Sequence, residues 1–391
     1  MMLQFIDDEA GFRREVRAWL AKTVPTDWDE HLHRGTAEDF EASQRWWMAE
    51  LNKVGLGTPH WPPQYGGVDL SLRLQIVLAE EIARAGAPSR SMFQISLNHV
   101  PATLLKWGTE YQKAKYLPDV ARGVVWCQGF SEPGAGSDLA SLKTRAEPCG
   151  DHYRINGQKI WSSYSMFAKQ AILLARTDVD APKHAGITYF ILDMQADGVE
   201  VRPIVQANGQ AKFAEIFLTD VRIPVEDRVG EENQGWAVAQ TTLSAERGVL
   251  SFEQAERLRR VLERFHRQSV AHDAGWLQDA ELRRRFMKLF GRMQATRCLI
   301  RDLLNQEESS AHAGAITSAH IKIMASTLRK DVGDFLVKVG GMDGQHDHGG
   351  MDELSDGPMF VYLSAFAGMI GGGTNEIMRN IIAERGLGMP R

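Results

Sequence analysis

The sequence predicts an α+β multidomain protein of three successive parts: an N-terminal helical domain (1–124), a middle antiparallel β-barrel domain (125–229) and a C-terminal helical bundle (230–391). Three observations carry this expectation. Apolar residues recur at helical spacing up to about residue 122. Short runs rich in β-branched and aromatic residues then crowd the next hundred or so positions. After Val229-Gly230 the helical spacing returns and persists to the end.

In the first part, Phe12, Val16, Trp19 and Leu20 mark one helical face, with Asp7 or Asp8 as its cap. Phe40, Trp46, Trp47 and Leu51 mark a second, over 38–54. A turn-rich break, TPHWPPQYGG, precedes a helix over 72–86 that Gly86 closes, and 99–122 holds one or two more. The β part reads as VWCQGF, HYRINGQKIW, QAILLART, GITYFILDM, VEVRPIV and AEIFLTDVRIP. Asn156-Gly157 predicts a hairpin turn between HYRI and QKIW, and the set fits a small antiparallel barrel or sandwich. In the last part, 235–268 reads as one long helix, 278–305 and 315–339 as two more, and two short helices finish the chain.

Composition narrows the function. Lys+Arg is 45 against Asp+Glu 50, a net charge of −5, so there is no bulk electrostatic footprint for nucleic acid. Cys127, Cys149 and Cys298 form neither a disulfide framework nor a metal knuckle, and no leader or membrane span is recognisable, so a cytoplasmic location is expected. Gln345-His346-Asp347-His348 reads as a solvated loop; no metal is expected.

Between Gly235 and Phe252 the only charged residues are Glu246 and Arg247. A helix apolar nearly all round is expected inside a bundle. There a carboxylate is costly to ionise unless paired, and burial raises its pKa toward that of a working base. Both a structural ion pair and a catalytic carboxylate fit the helix taken alone. A second feature is WCQGFSEPGAGSD (126–138), a strand running into a loop whose glycines let backbone N–H groups approach a ligand. It matches neither the dinucleotide fingerprint nor the phosphate-binding P-loop, and by itself an ordinary turn explains it equally well.

FSEPGAGSDLASLKTRAE (130–147), INGQKIWSS (155–163) and GGGTNEIMRNIIAERGLG (371–388) together resemble the acyl-CoA dehydrogenase family, over essentially the whole chain. The resemblance implies the family's fold, with FAD held between the middle β domain and the C-terminal helices. It places Gln128, Phe130, Ser131, Gly136 and Ser137 against the flavin and pyrophosphate. Trp161, Ser162 and Ser163 form the second flavin segment, and Gly340, Gly341, Thr374 and Glu376 the C-terminal contacts. Ser137, Arg247, Gly372 and Gly373 fall to the substrate.

The family's base is a glutamate at one of two positions. The commoner one is Gly372 here; the other, used by isovaleryl- and long-chain-type members, is Glu246, just before Arg247. The resemblance thus makes Glu246 the base, with Glu376 as fallback. It implies α,β-dehydrogenation of an acyl-CoA to the trans-2-enoyl-CoA, with electrons passed to an electron-transferring flavoprotein. The chain departs from the family at QDAELRRRFMKLFG (278–291), where an Arg-x-x-Phe-Gly is usual, and at Val337, where a glutamine is usual. Such departures resemble bacterial members acting on bulky, branched or steroid-side-chain acyl-CoAs. A homo-oligomer (dimer or tetramer) or a heteromer is expected. The competing expectations are an acyl-CoA oxidase or other flavin oxidase on the same fold, and a non-catalytic partner subunit of a heteromeric dehydrogenase.

Overall fold

The structure, a computed structural model, describes residues 8–26, 28, 36–244, 249–306, 311–346 and 357–390. Two compact units divide the chain: Met1–Gln44, Asp69–Ser89 and Arg247–Arg391 make one, Arg45–Val68 and Arg90–Glu246 the other.

The second unit is built on an eight-stranded sheet: β1 (Trp126–Gly129), β2 (Arg145–Pro148), β3 (His152–Ser163), β4 (Gln170–Arg176), β5 (Ile187–Asp193), β6 (Val199–Ile204), β7 (Phe213–Pro224) and β8 (Arg228–Val229). The order is β6-β7-β3-β2-β4-β5-β8, with β1 also paired to β4. Most pairings are antiparallel, but β1 and β2 each run parallel to β4. Side chains alternate between two cores, as the period of a strand dictates. Ile172, Leu174, Tyr189 and Ile191 face helices α4 (Val100–Trp107), α5 (Glu110–Ala121) and α6 (Gly235–Ser244). Their neighbours Leu173, Phe190 and Leu192 face Ile155, Ile216 and Val221 of the same sheet. The sheet therefore curls on itself around a core made of strand residues.

Asn156-Gly157 makes no hairpin turn. β3 runs straight through it, because residues on both sides of it pair with β7. The register shifts here in a bulge whose extra residue is on β7, where Thr219 and Asp220 oppose Asn156: Asn156 Nδ2 donates to Asp220 Oδ1 (3.0 Å), and its Oδ1 accepts from Asp220 N–H (2.9 Å). At Gly157 a Cβ would come 2.5 Å from Thr144 Oγ1, so close packing as well as φ selects glycine there. β2 and β8 were not anticipated; β2 is short, charged and ends in proline, and β8 is two residues long.

The first unit is helical. α1 (Glu9–Thr23) is capped by Asp8 and packs on α3 (Leu72–Ala85), while part of α2 (Ala37–Lys53) also belongs here. α7 (Val249–Ala271), α8 (Ala280–Gln306), α9 (Ala311–Gly340), α10 (Pro358–Ile370) and α11 (Asn375–Ile381) complete it. Trp276, Phe286, Leu289, Val332 and Phe335 form one core, and Ile76, Phe252, Ile300 and Ile321 another. Phe286, in the stretch that departs from the family pattern, is thus a core residue. Arg13, Arg17 and Arg84 surround the buried Glu81 carboxylate, and Arg259 and Arg297 surround that of Glu256. Each buried acid is paired, as burial demands.

Candidate active site

Helix α6 is fixed on the second unit by hydroxyls. Thr242 bonds Thr103 (2.7 Å) and Tyr189 (3.1 Å), and Trp107 donates its indole N–H to Thr241 (2.9 Å). The expectation that this uncharged stretch is buried all round is corrected: Ala237, Gln240 and Ser244 form an exposed stripe. Only Val238, Ala239 and Thr242 and their neighbours meet the core, and small neutral residues tolerate water on the other side. Glu246 and Arg247 lie outside the described residues.

The loop after β1 is held by its carbonyls. Gln128 O accepts from Ser162 Oγ (2.9 Å), Phe130 O from Lys159 Nζ (3.1 Å) and Ser131 O from Ile160 N–H (2.9 Å), all donors of β3. Phe130 is buried, its ring edge-on to Tyr189. Glu132 and Ala135 exchange two backbone bonds of 3.0 Å around Pro133-Gly134. Asp138 anchors the far end by accepting from Ser141 Oγ (2.5 Å) and Lys183 Nζ (2.7 Å). Between these anchors the N–H groups of Ser131, Gly134, Gly136 and Ser137 meet no acceptor among the described residues. Gly134 and Gly136 have open space where a Cβ would stand, and Ser137 is exposed.

Trp161 sits in a second β3 irregularity, between Lys159 and Ser162, at φ +64°. A bulky residue in that left-handed region costs about 1–3 kcal/mol and marks a functional position more often than chance. Its indole stands 55% exposed, edge-on to Phe213, while Ser162 is buried and Ser163 half-buried beside it.

In the first unit, Gly371–Glu376 joins α10 to α11. Thr374 caps α11 by accepting from Ile377 N–H (3.2 Å). Asn375 is buried, its Oδ1 accepting from Lys322 Nζ (2.9 Å) and Ser326 Oγ (3.0 Å), and Lys322 also donates to Met369 O (3.0 Å). Gly372 (φ +65°) and Gly373 (φ +89°) both need the left-handed region. Glu376 is exposed; its own backbone N–H, with the lesser help of Arg379 paired to it (2.9 Å), holds its carboxylate below the usual range. Gly340 and Gly341 close α9 at its other end. At 1.5 Å per residue they lie roughly 27 Å along the axis from Lys322, so α9 does not bring them to this turn.

Lys159 escaped the sequence reading. It is fully buried on β3 and pairs with Glu132 (2.8 Å). Burial pushes the Lys159 ammonium down to about 8, against the pull of Glu132. Burial would raise the Glu132 carboxyl, but Lys159 and the N–H groups of Lys143 (2.6 Å) and Thr144 (2.8 Å) hold it low. The signal was parity: Lys159 shares the inward face of β3 with Tyr153 and Ile155, where a lysine needs a carboxylate. Among the described residues no group of three His, Cys, Asp or Glu is placed to hold a metal, and no helix is long and apolar enough to cross a membrane. Asp347 and His348 lie outside them.

Three family models match the chain: the acyl-CoA dehydrogenase N-terminal domain over residues 7–124, the middle domain over 127–221 and the C-terminal domain over 233–387. The acyl-CoA dehydrogenase IpdE1 of Mycobacterium tuberculosis is 36% identical over 99% of both chains. Among solved structures, the Tcur3481-Tcur3483 steroid ACAD superposes with a TM-score of 0.84 at 31% identity, covering 100% of both chains. The ChsE4-ChsE5 complex from Mycobacterium tuberculosis superposes at 0.81, with 27% identity and 100% coverage of both chains.

Proposed function

We infer that this chain, which belongs to the acyl-CoA dehydrogenase family, binds FAD and uses Glu246 to start α,β-dehydrogenation of a bulky acyl-CoA. Family membership makes it an acyl-CoA dehydrogenase with a flavin cofactor. The observation that carries the finer reading is the Gln128–Ser137 loop. Its anchored carbonyls point to β3 and its free N–H groups suit an acceptor-rich ring and phosphate oxygens. The exposed Trp161 indole adds a flat surface for the ring system.

When bound, FAD supplies the acceptor for two electrons and the β hydrogen. This chain supplies the rest. Glu246 takes the α proton onto its carboxylate. Backbone N–H near Gly372–Gly373 polarises the thioester carbonyl, making that proton acidic enough to leave. Gly372 contributes no side chain, so a broader acyl group is accommodated on that side. A steroid-derived substrate is supported by the name of the Tcur3481-Tcur3483 relative, and a heteromeric assembly by that name and by the ChsE4-ChsE5 complex. We assign Gln128, Phe130, Ser131, Gly136, Ser137, Trp161, Ser162, Ser163, Gly340, Gly341, Thr374 and Glu376 to FAD, and Ser137, Arg247, Gly372 and Gly373 to the substrate. The domains divide at 124/125 and 229/230. Reoxidation goes to an electron-transferring flavoprotein.

Anaerobic titration of the purified flavoprotein with straight-chain, branched and steroid acyl-CoAs tests this. Bulky acyl-CoAs should bleach the flavin fastest, and Glu246→Gln should slow bleaching about a thousandfold, within the range for a lost general base. Bleaching at the wild-type rate in that variant places the base elsewhere.

A further inference from the structure

We propose that Lys159 and Glu132 are positioning residues that together set the shape of the 128–137 loop for the flavin, without touching it. The proposal rests on the FAD reading above. The geometry is that of a clamp. One buried ammonium reaches both Phe130 O (3.1 Å) and Glu132 Oε1 (2.8 Å), so it spans the loop's entry and its first turn. The Glu132 carboxylate carries the hold onward: Oε1 also accepts from Thr144 N–H (2.8 Å) and Oε2 from Lys143 N–H (2.6 Å). The chain entering β2 is thereby tied to the same point as β3. Two bonds flank the clamp, Ile160 N–H to Ser131 O and Ser162 Oγ to Gln128 O, both 2.9 Å.

The consequence is directional. The Lys159 bond to Phe130 O holds that peptide plane, so the N–H on its opposite edge is turned away from β3. That donor is Ser131 N–H, which belongs to the same peptide plane as Phe130 O. If Lys159 lets go of Phe130 O, that plane is free to rotate and the donor loses its aim. Lys159 itself ends inside the protein, wholly buried, so it meets no ligand.

A buried pair that serves stability alone is replaceable by neutral residues of similar size at little or no net loss. A pair that aims a loop is not. The test is therefore the double variant Glu132→Gln/Lys159→Met, measured against wild type. The readouts are FAD Kd by flavin and tryptophan fluorescence, the fine structure of the visible flavin band, and the thermal midpoint of the cofactor-free protein. The expected result is a near-wild-type midpoint with FAD held about 10–100-fold more weakly and an altered flavin band, the size seen when residues supporting a ligating group are removed. If wild type takes up FAD and the double variant binds it with the same Kd and spectrum, the proposal is overturned and the FAD reading stands. If wild type takes up no FAD at all, both fall. Should the double variant not fold, Glu132→Gln alone decides the question, because it keeps an acceptor for Thr144 N–H while weakening the hold on Lys159. A weaker Kd supports the clamp, and an unchanged Kd refutes it.

Discussion

Two glycine-bearing loops, one in each unit, are each held in part by a lysine that reaches a backbone carbonyl, and they are held differently. Lys159 is wholly buried and meets a carboxylate and a carbonyl; Lys322 is only partly buried and meets an amide oxygen and a carbonyl. The 128–137 loop is held through backbone carbonyls engaged by β3, with Gly134 and Gly136 in open space. The 371–376 turn is held at its two ends, and its middle depends on Gly372 and Gly373 adopting positive φ. Charge pairing in a dry interior fixes the first; backbone conformation fixes the second. The first is accordingly sensitive to the loss of a side chain and, at Gly134 and Gly136, indifferent to an added methyl group, whereas the second is sensitive to both.

The largest effect that sharpens the contrast is Glu132→Ala. It strands the Lys159 ammonium in the core, and stability should fall by about 3–5 kcal/mol, read as denaturant midpoint and slope. Loss below about 1 kcal/mol would erase the distinction drawn between the loops. Asn375→Ala should cost less, about 1–3 kcal/mol, since Lys322 retains Met369 O and some access to water. Gly373→Ala is next. A Cβ there would sit 2.5 Å from Met378 Cε at φ +89°, and about 1–3 kcal/mol of strain is expected. The smallest effect belongs to Gly136→Ala, within about 0.5 kcal/mol of wild type, since nothing lies within 4 Å of the new carbon. A Gly136→Ala variant as unstable as Gly373→Ala would show that the first loop also relies on backbone conformation. That same variant is expected to disturb FAD binding, so stability and cofactor affinity should part company at this position.

The helices were legible because their apolar faces, caps and closing glycines are local: Asp8 caps where the pattern starts, and Gly86 ends α3 in the left-handed conformation. The strands rich in Val, Ile and Phe were legible for the same reason. Asn156-Gly157 misled because its local signal for a turn is shared by a bulge, and only the pairing of both flanks with β7 decides between them. β2, with Arg145, Glu147 and Pro148, carries no strand signal; its partners β3 and β4 impose the conformation. The loop at 128–137 was visible as a motif, whereas its clamp was not. Lys159 is distant from Glu132 in sequence, and nothing short of the alternation along β3 marks it as inward-facing. α6 was misjudged because an absence of charge is a weaker constraint than the presence of large apolar side chains, and Ala237, Gln240 and Ser244 are none of these.

A cation that reaches across to a carbonyl and a carboxylate of another stretch of chain cannot be edited one letter at a time. Any single change at 132 or 159 passes through an orphaned ion in the dark interior, so the two positions are expected to drift together across descendants or stay frozen as a couple. Anyone recoding this loop to accept a different ring must treat them as one two-residue word.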